Sequence, residues 1–222
     1  MKKYKNLTIL GTSHIAVESI NSVKEILLSE RPNIVALELD RARFNTLMYH
    51  KKRGFSFEEL RNIGIRGFIF NFIGSIIESK LGKVVGTKPG DEMKMAAKVA
   101  HEIKAEIALI DQDVRITLRK LGKKITFKEK MRFFGDFIKA LFIRQKINFD
   151  LKRVPSQKII NDLTGKLRRR YPNVYDVLVR ERNFIMGKYL YRLMRDYHSV
   201  VAVVGAGHEE DLIKEIKKWE SL

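Results

Sequence analysis

The chain contains no cysteine, a single tryptophan and four prolines in 222 residues. Without cysteine there can be no disulfide and no thiolate metal site. No apolar window reaches the length of a transmembrane span. The opening MKKYKNLTIL is basic but runs straight into a strand-like stretch, with no signal-peptide apolar region and no small-residue cleavage site. The expected location is therefore the cytoplasm or the cytoplasmic face of a membrane. Acidic charge is scarce, with 26 Asp and Glu against 44 Lys and Arg, a formal net charge of +18. The stretch 112–198 holds 23 Lys and Arg and only 8 Asp and Glu. That excess reads equally as a solvated helical surface, of the kind heat-adapted proteins carry, or as attraction for an anionic partner. With 45% hydrophobic residues, one buried core and one domain over 1–222 are expected.

The residues present are patterned as an α/β chain. Tyr4–Leu10 reads as a strand, and Ile15–Glu30 as a helix with Val17, Ile20, Val23 and Leu27 on one stripe. Pro32 and Asn33 turn the chain into IVALEL, Ile34–Leu39, a short buried strand. A strand-helix-strand unit implies parallel strands. Arg41–His50 and Phe55–Asn62 read as helices. Gly64–Gly82 is apolar on more than one face, and reads as a buried helix or lid rather than a membrane-surface helix. Pro89, Gly90 and Asp91 open a helix with Met93, Ala97, Ala100 and Ile103 on one face. Glu106–Asp111 is the third strand. Helices fill Asp113 to about His198, with breaks expected near Gly122, Pro155 and Pro172. VVAVVG, Val200–Gly205, is the last strand, followed by an amphipathic helix. The expected architecture is a small, mainly parallel sheet drawn from both chain ends, with a large basic helical insertion (about 112–198) between the third and last strands.

The carboxyl ends of parallel strands line a ligand crevice. Four polar side chains fall there by position: His14, Glu38, Asp111 and His208. Both histidines follow a strand in the same pattern, GTSH (Gly11–His14) and GAGH (Gly205–His208). Glycine after a strand permits a sharp turn, so the histidine three residues on can face the crevice. Two imidazoles and a carboxylate form a ligand set for a divalent metal with open positions, suited to Lewis-acid or metal-water chemistry. Each histidine alone reads as readily as a loop or cap residue. Glu38 lies between apolar neighbours and needs a cationic partner if buried. Asp40 is expected to cap the next helix. His101 is expected to be partly buried beside Ala97, and His50 and His198 to lie on the surface. Arg182 interrupts an apolar stripe of Val174, Leu178, Ile185, Tyr189 and Leu193. Either an internal ion pair or contact with a substrate carboxylate or oxyanion would satisfy it. Glu92 reads either as a helix-dipole partner or as a catalytic base.

The blocks TILGTSHIAVESINSVKEILLSERPNIVALELDRARFNTL, PGDEMKMAAKVAHEIKAEIALIDQDVRITLRK, VRERNFIMGKYL and VVAVVGAGH resemble, in order and spacing, those of the TraB/PrgY proteins, relatives of the Tiki and GumN groups. The resemblance implies a metal-dependent hydrolase, usually regarded as a metalloprotease, with a fold similar to the erythromycin-esterase and ChaN-like proteins. Its paired glycine-x-x-histidine motifs match Gly11/His14 and Gly205/His208, its glutamate after the second strand matches Glu38, and its arginine matches Arg182 beside Asn183. Some members limit peptide pheromone signalling. Many carry transmembrane helices after this domain, which implies that the chain is the soluble part of a membrane-anchored protein. The family often has arginine after Asp111; here Gln112 stands there, which puts a charge role at that position in doubt.

The leading expectation is thus a peptide hydrolase holding zinc, manganese, cobalt or iron through His14, His208 and Glu38. In it Glu38 or Glu92 serves as base, Arg182 steadies the oxyanion or a substrate carboxylate, and Asp111 and Asn183 support the ligands. Glu38 cannot be both inner ligand and free base. The alternatives are a module that sequesters a peptide without cleaving it, and a protein that binds an anionic membrane surface through its basic helices. No nucleic-acid motif is present, so nucleic acid ranks below lipid as a partner. Homo-oligomerisation is left open.

Overall fold

The computed structural model describes residues 1–12, 17–49, 90–142 and 156–222. His14, His50, the helix expected at 55–62, the apolar segment 64–82 and the break at Pro155 lie outside the described residues.

Strands β1 (Lys2–Tyr4), β2 (Leu7–Thr12), β3 (Ile34–Leu37), β4 (Glu106–Leu109) and β5 (Val200–Gly205) form one sheet in the order β1-β2-β5-β3-β4. Only β1 runs antiparallel to its neighbour. β5 lies at the centre and is buried along its whole length, which explains its unbroken run of apolar residues. The last strand thus lies between the first and second strands of the predicted core, with Thr12 opposite Gly205 and Leu37 opposite Val203.

Alternate residues of these strands feed two apolar layers. Leu10, Val35, Leu37, Val201 and Val203 pack against Val23 and Leu27 of α1 (Val17–Glu30) and Met93, Ala96 and Ala100 of α3 (Asp91–Glu102). Between these helices in the chain lies α2 (Arg41–Tyr49). Ile9, Ile34, Ala36, Val200, Ala202 and Val204 pack on the other face. There they meet Met186 and Leu190 of α8 (Glu181–Asp196) and Leu212 and Ile216 of α9 (Glu209–Glu220). Burying a side chain of this size removes it from water at a gain of about 1.5–3 kcal/mol. The period-two pattern of the strands therefore holds helices on both faces. The helices α4 (Val114–Lys124), α5 (Phe127–Phe142), α6 (Gln157–Arg170) and α7 (Pro172–Tyr175) lie between β4 and α8 in the chain. A smaller core joins Leu118, Leu121 and Ile125 to Val177.

Several expectations are corrected. The stretch Tyr4–Leu10 is not one strand, because Lys5 adopts a left-handed φ of 51° and turns the chain between β1 and β2. Helix α4 runs through Gly122 to Lys124, and the break falls at Ile125–Thr126 instead. Thr126 and Glu129 then start α5 with reciprocal hydrogen bonds, a capping box. His101 is exposed rather than partly buried, while His198 is exposed as expected. The apolar stripe expected around Arg182 is displaced by one residue. A π-turn over Asp176–Arg180 inserts an extra residue, so α8 buries Asn183, Met186, Gly187 and Leu190, while Tyr189 is exposed.

Candidate functional site at the carboxyl ends of the strands

The four parallel strands end on one side of the sheet, and their last residues deliver the polar groups. β2 and β5 are neighbours, so the strands that lead into the two glycine-x-x-histidine motifs end side by side. The motifs are tied directly: the Ala206 N–H donates to the Thr12 carbonyl at 2.9 Å, and the Thr12 hydroxyl donates to the Val204 carbonyl at 3.1 Å. Gly11 is needed because the Glu209 side chain crosses over it. A Cβ there would lie 2.6 Å from Glu209 Cδ. The Gly11 N–H donates to Glu209 Oε1 at 2.9 Å, and the amino group of Met1 lies 3.0 Å from the same oxygen.

Glu38 follows β3 directly and is 5% exposed. Its Oε2 accepts the Gly205 N–H at 2.6 Å, and its Oε1 accepts from Arg182 Nη2. Arg182 also spans Asp111, with Nε 3.0 Å from Oδ1 and Nη2 2.8 Å from Oδ2, and donates from Nη1 to the Leu178 carbonyl. It is therefore held in an ion pair with two carboxylates from two strand ends. Burial opposes its charge, but Glu38 and Asp111 outweigh burial and hold the guanidinium pKa above its usual value.

His208 sits at the mouth of α9, buried. Its Nδ1 lies 2.5 Å from Asn183 Oδ1, so Nδ1 carries the proton, and Nε2 is left 3.4 Å from Glu38 Oε1. The neighbouring residues Arg182 and Asn183 of α8 thus grip the carboxylate and the imidazole of one site.

Asp40 caps α2, as expected, by accepting the Ala42 and Arg43 N–H groups. Arg43 was not singled out from the sequence. It donates to Asp40 Oδ2 at 2.6 Å and to Asp111 Oδ2, joining the cap to the Arg182 cluster. Burial opposes its charge, while Asp111 and Asp40 raise its pKa. Its sequence signal is the spacing of three from Asp40. Glu209 was also missed; its signal is adjacency to His208 and to the start of a helix. Gln112 is neutral in its role, donating from Nε2 to Thr117 Oγ1 at 2.8 Å. Glu92 is buried in the first turn of α3.

The structure thus brings together Glu38, Asp111, Arg182, Asn183, Gly205 and His208, with Gly11 beside them. Among the described residues no group of three or more His, Asp or Glu side chains is placed to hold a metal ion. Of the expected ligands, His208 has the fitting form: Nδ1 is fixed by an acceptor, and Nε2 stays available. Glu38 already accepts at both oxygens, from a guanidinium at Oε1 and a backbone N–H at Oε2, so either expected role, ligand or base, would use a remaining lone pair. An open groove lined by Tyr175, Arg180, Asn183, Asp211, Lys214 and Lys218 reaches the site at Asn183. Among the described residues no helix is long and apolar enough to cross a membrane.

The profile of the TraB/PrgY/gumN family matches residues 2–210. An uncharacterised protein of Methanocaldococcus jannaschii is 33% identical over 224 aligned positions, which cover 97% of this chain and 54% of the relative. The chain therefore spans about half the length of the curated relative it matches. With nearly all of its length matched, and with its paired motifs joined at the ends of adjacent strands, the chain belongs to the TraB/PrgY/gumN family.

Proposed function

We propose that the crevice at the ends of β2, β5 and β3 is the active site of a metal-dependent hydrolase that cleaves a peptide. The observation that carries the proposal is the joining of the two glycine-x-x-histidine motifs through adjacent strands, with His208 oriented by Asn183 and facing Glu38. The imidazoles of His208 and His14 are the residues we assign to a divalent cation such as zinc, manganese or cobalt. When bound, it supplies Lewis-acid polarisation of the scissile carbonyl and of a water.

The chain's own groups do the rest. Asn183 holds the proton on Nδ1 and so keeps Nε2 available at the crevice. Glu38, near Nε2, is the base we assign for drawing a proton from the attacking water. Its anionic form is favoured by Arg182 and by the Gly205 N–H. Arg182 is committed to Glu38 and Asp111, so its role is to hold these carboxylates charged and in place; contact with the substrate is left to the groove that reaches Asn183. This reading keeps Glu38 as base and drops it as ligand.

The test is peptide cleavage by metal-loaded protein, followed by mass spectrometry, with metal content measured on the same sample. Chelation is expected to abolish product, and re-addition of one metal to restore it. His208→Ala is expected to lose metal, and Glu38→Gln to lose turnover by about 100-fold or more while keeping metal. A folded, metal-loaded protein that binds peptides and never cleaves them would favour sequestration.

A further inference from the structure

Helix α5 is built inside out. Its two acids, Glu129 and Asp136, point at the protein. Glu129 is buried, accepting from the Asn173 N–H and side-chain amide at 2.9 Å each and from the Thr126 N–H at 3.0 Å. Asp136 accepts from Arg170 Nε and from the Tyr171 hydroxyl, each at 2.5 Å. The opposite side carries Phe127, Met131 and Phe134, exposed by 76%, 53% and 58%. Spacings of four and three set these residues on one stripe. Lys128 and Lys130 flank that stripe, and neither forms an ion pair among the described residues. An ordinary surface helix turns its apolar face to the core and its charges to water. Here Glu129 is buried and Asp136 is tied to Arg170 and Tyr171, while apolar groups and two lysines are left outside.

We propose that this face of α5 docks on an anionic lipid surface. An apolar stripe bordered by lysines is the signature of a helix lying in the headgroup boundary. The lysine stems can lie along the apolar groups while their ammonium ends reach lipid phosphates. A second copy of the chain is a poor occupant, because it would set one +18 molecule, and the same lysines, against another. Single-stranded nucleic acid is a poor occupant as well, since stacking platforms lie in basic grooves and this is the convex face of a helix. The proposal does not depend on the hydrolase reading.

The test uses the full chain and vesicles of phosphatidylcholine with or without phosphatidylglycerol. Co-sedimentation is expected with the anionic vesicles and to be about 10-fold weaker with phosphatidylcholine alone. The triple variant F127S/M131S/F134S, folded by circular dichroism, is expected to lose about 10-fold in binding to anionic vesicles. The emission of F134W should shift to shorter wavelength on those vesicles, relative to the wild type with only Trp219. Three results would overturn the proposal: a folded wild type that does not sediment with anionic vesicles, a triple variant that sediments as well as the wild type, or a lipid-free dimer that the triple variant dissolves.

Discussion

Arg182 shows how much a single side chain can hold in this protein. It is 15% exposed and neutralises Glu38 and Asp111, whose side chains are 5% and 1% exposed. Removing it would strip Glu38 of this guanidinium and leave Asp111 to Arg43, in a site with little water. Arg182→Met is expected to lower the unfolding free energy by about 3–5 kcal/mol, read as a reduced urea midpoint. That is a large fraction of the about 5–15 kcal/mol that a domain of ordinary stability has. Adding Glu38→Gln and Asp111→Asn should recover part of the loss; if it does not, the carboxylates are not what Arg182 offsets. Gly11 is a second single-residue dependency. Gly11→Ala forces the buried Glu209 side chain off the strand, at an expected cost of about 1–3 kcal/mol in thermal unfolding. Glu209→Ala in the same chain removes the clash and should return part of that stability, even though it deletes a hydrogen bond.

At the level of elements, the site depends on how closely α8 approaches α9. Gly187 lies where a Cβ would come 2.7 Å from Glu215 Cβ. That neighbour is the rigid root of its side chain, so the two helices would have to part. Gly187→Ala is expected to destabilise the fold by about 1–3 kcal/mol and to lengthen the Asn183–His208 hydrogen bond, because Asn183 is one turn up the same helix. A crystal structure of the variant would check the separation, and an unchanged distance with unchanged stability would refute the account. The π-turn at Asp176–Arg180 serves the same end. It rotates the buried face of α8 by one residue and turns Asn183 inward beside Arg182.

Acid should open the whole molecule through its helical side. The pKa of Asp136 is held down to about 2 by Arg170 and Tyr171, and that of Asp176 is lowered by Arg180. Burial opposes the lowering at Glu129 and Glu181, but Asn173 and Thr126 at the first, and Lys120 and Lys124 at the second, outweigh it. A depressed folded pKa adds stability above the unfolded value, near 4, and that stability is lost as pH falls through the folded value. Helical content followed by circular dichroism should therefore fall between about pH 4 and pH 2. Over the same range the 26 acids lose their charge and leave 44 Lys and Arg and 5 His unopposed. Self-repulsion then adds to the loss of ion pairs, so raising the salt concentration should move the transition to lower pH. A transition that salt moves the other way would show that pair screening outweighs net repulsion.

From composition and periodicity alone came the class of fold, the parallel strands, the core faces of α1 and α3, the cap at Asp40, and Glu38 and His208 as groups at strand ends. These depend on neighbours in the chain or on a short repeat, and such signals survive in one dimension. Tertiary structure alone decided that β5 would insert between β2 and β3, that Arg182 would face both Glu38 and Asp111, and that Glu209 would cross over Gly11. It also decided the phase of α8, because a hydrophobic repeat assumes 3.6 residues per turn and cannot register an inserted residue. The lysine-bordered stripe of α5 had the periodicity of a buried face, and only the placement of its acids against α6 and α7 showed that the face is outside. Periodicity reports which residues share a side, whereas the direction of that side is set by long-range contacts between segments far apart in the chain.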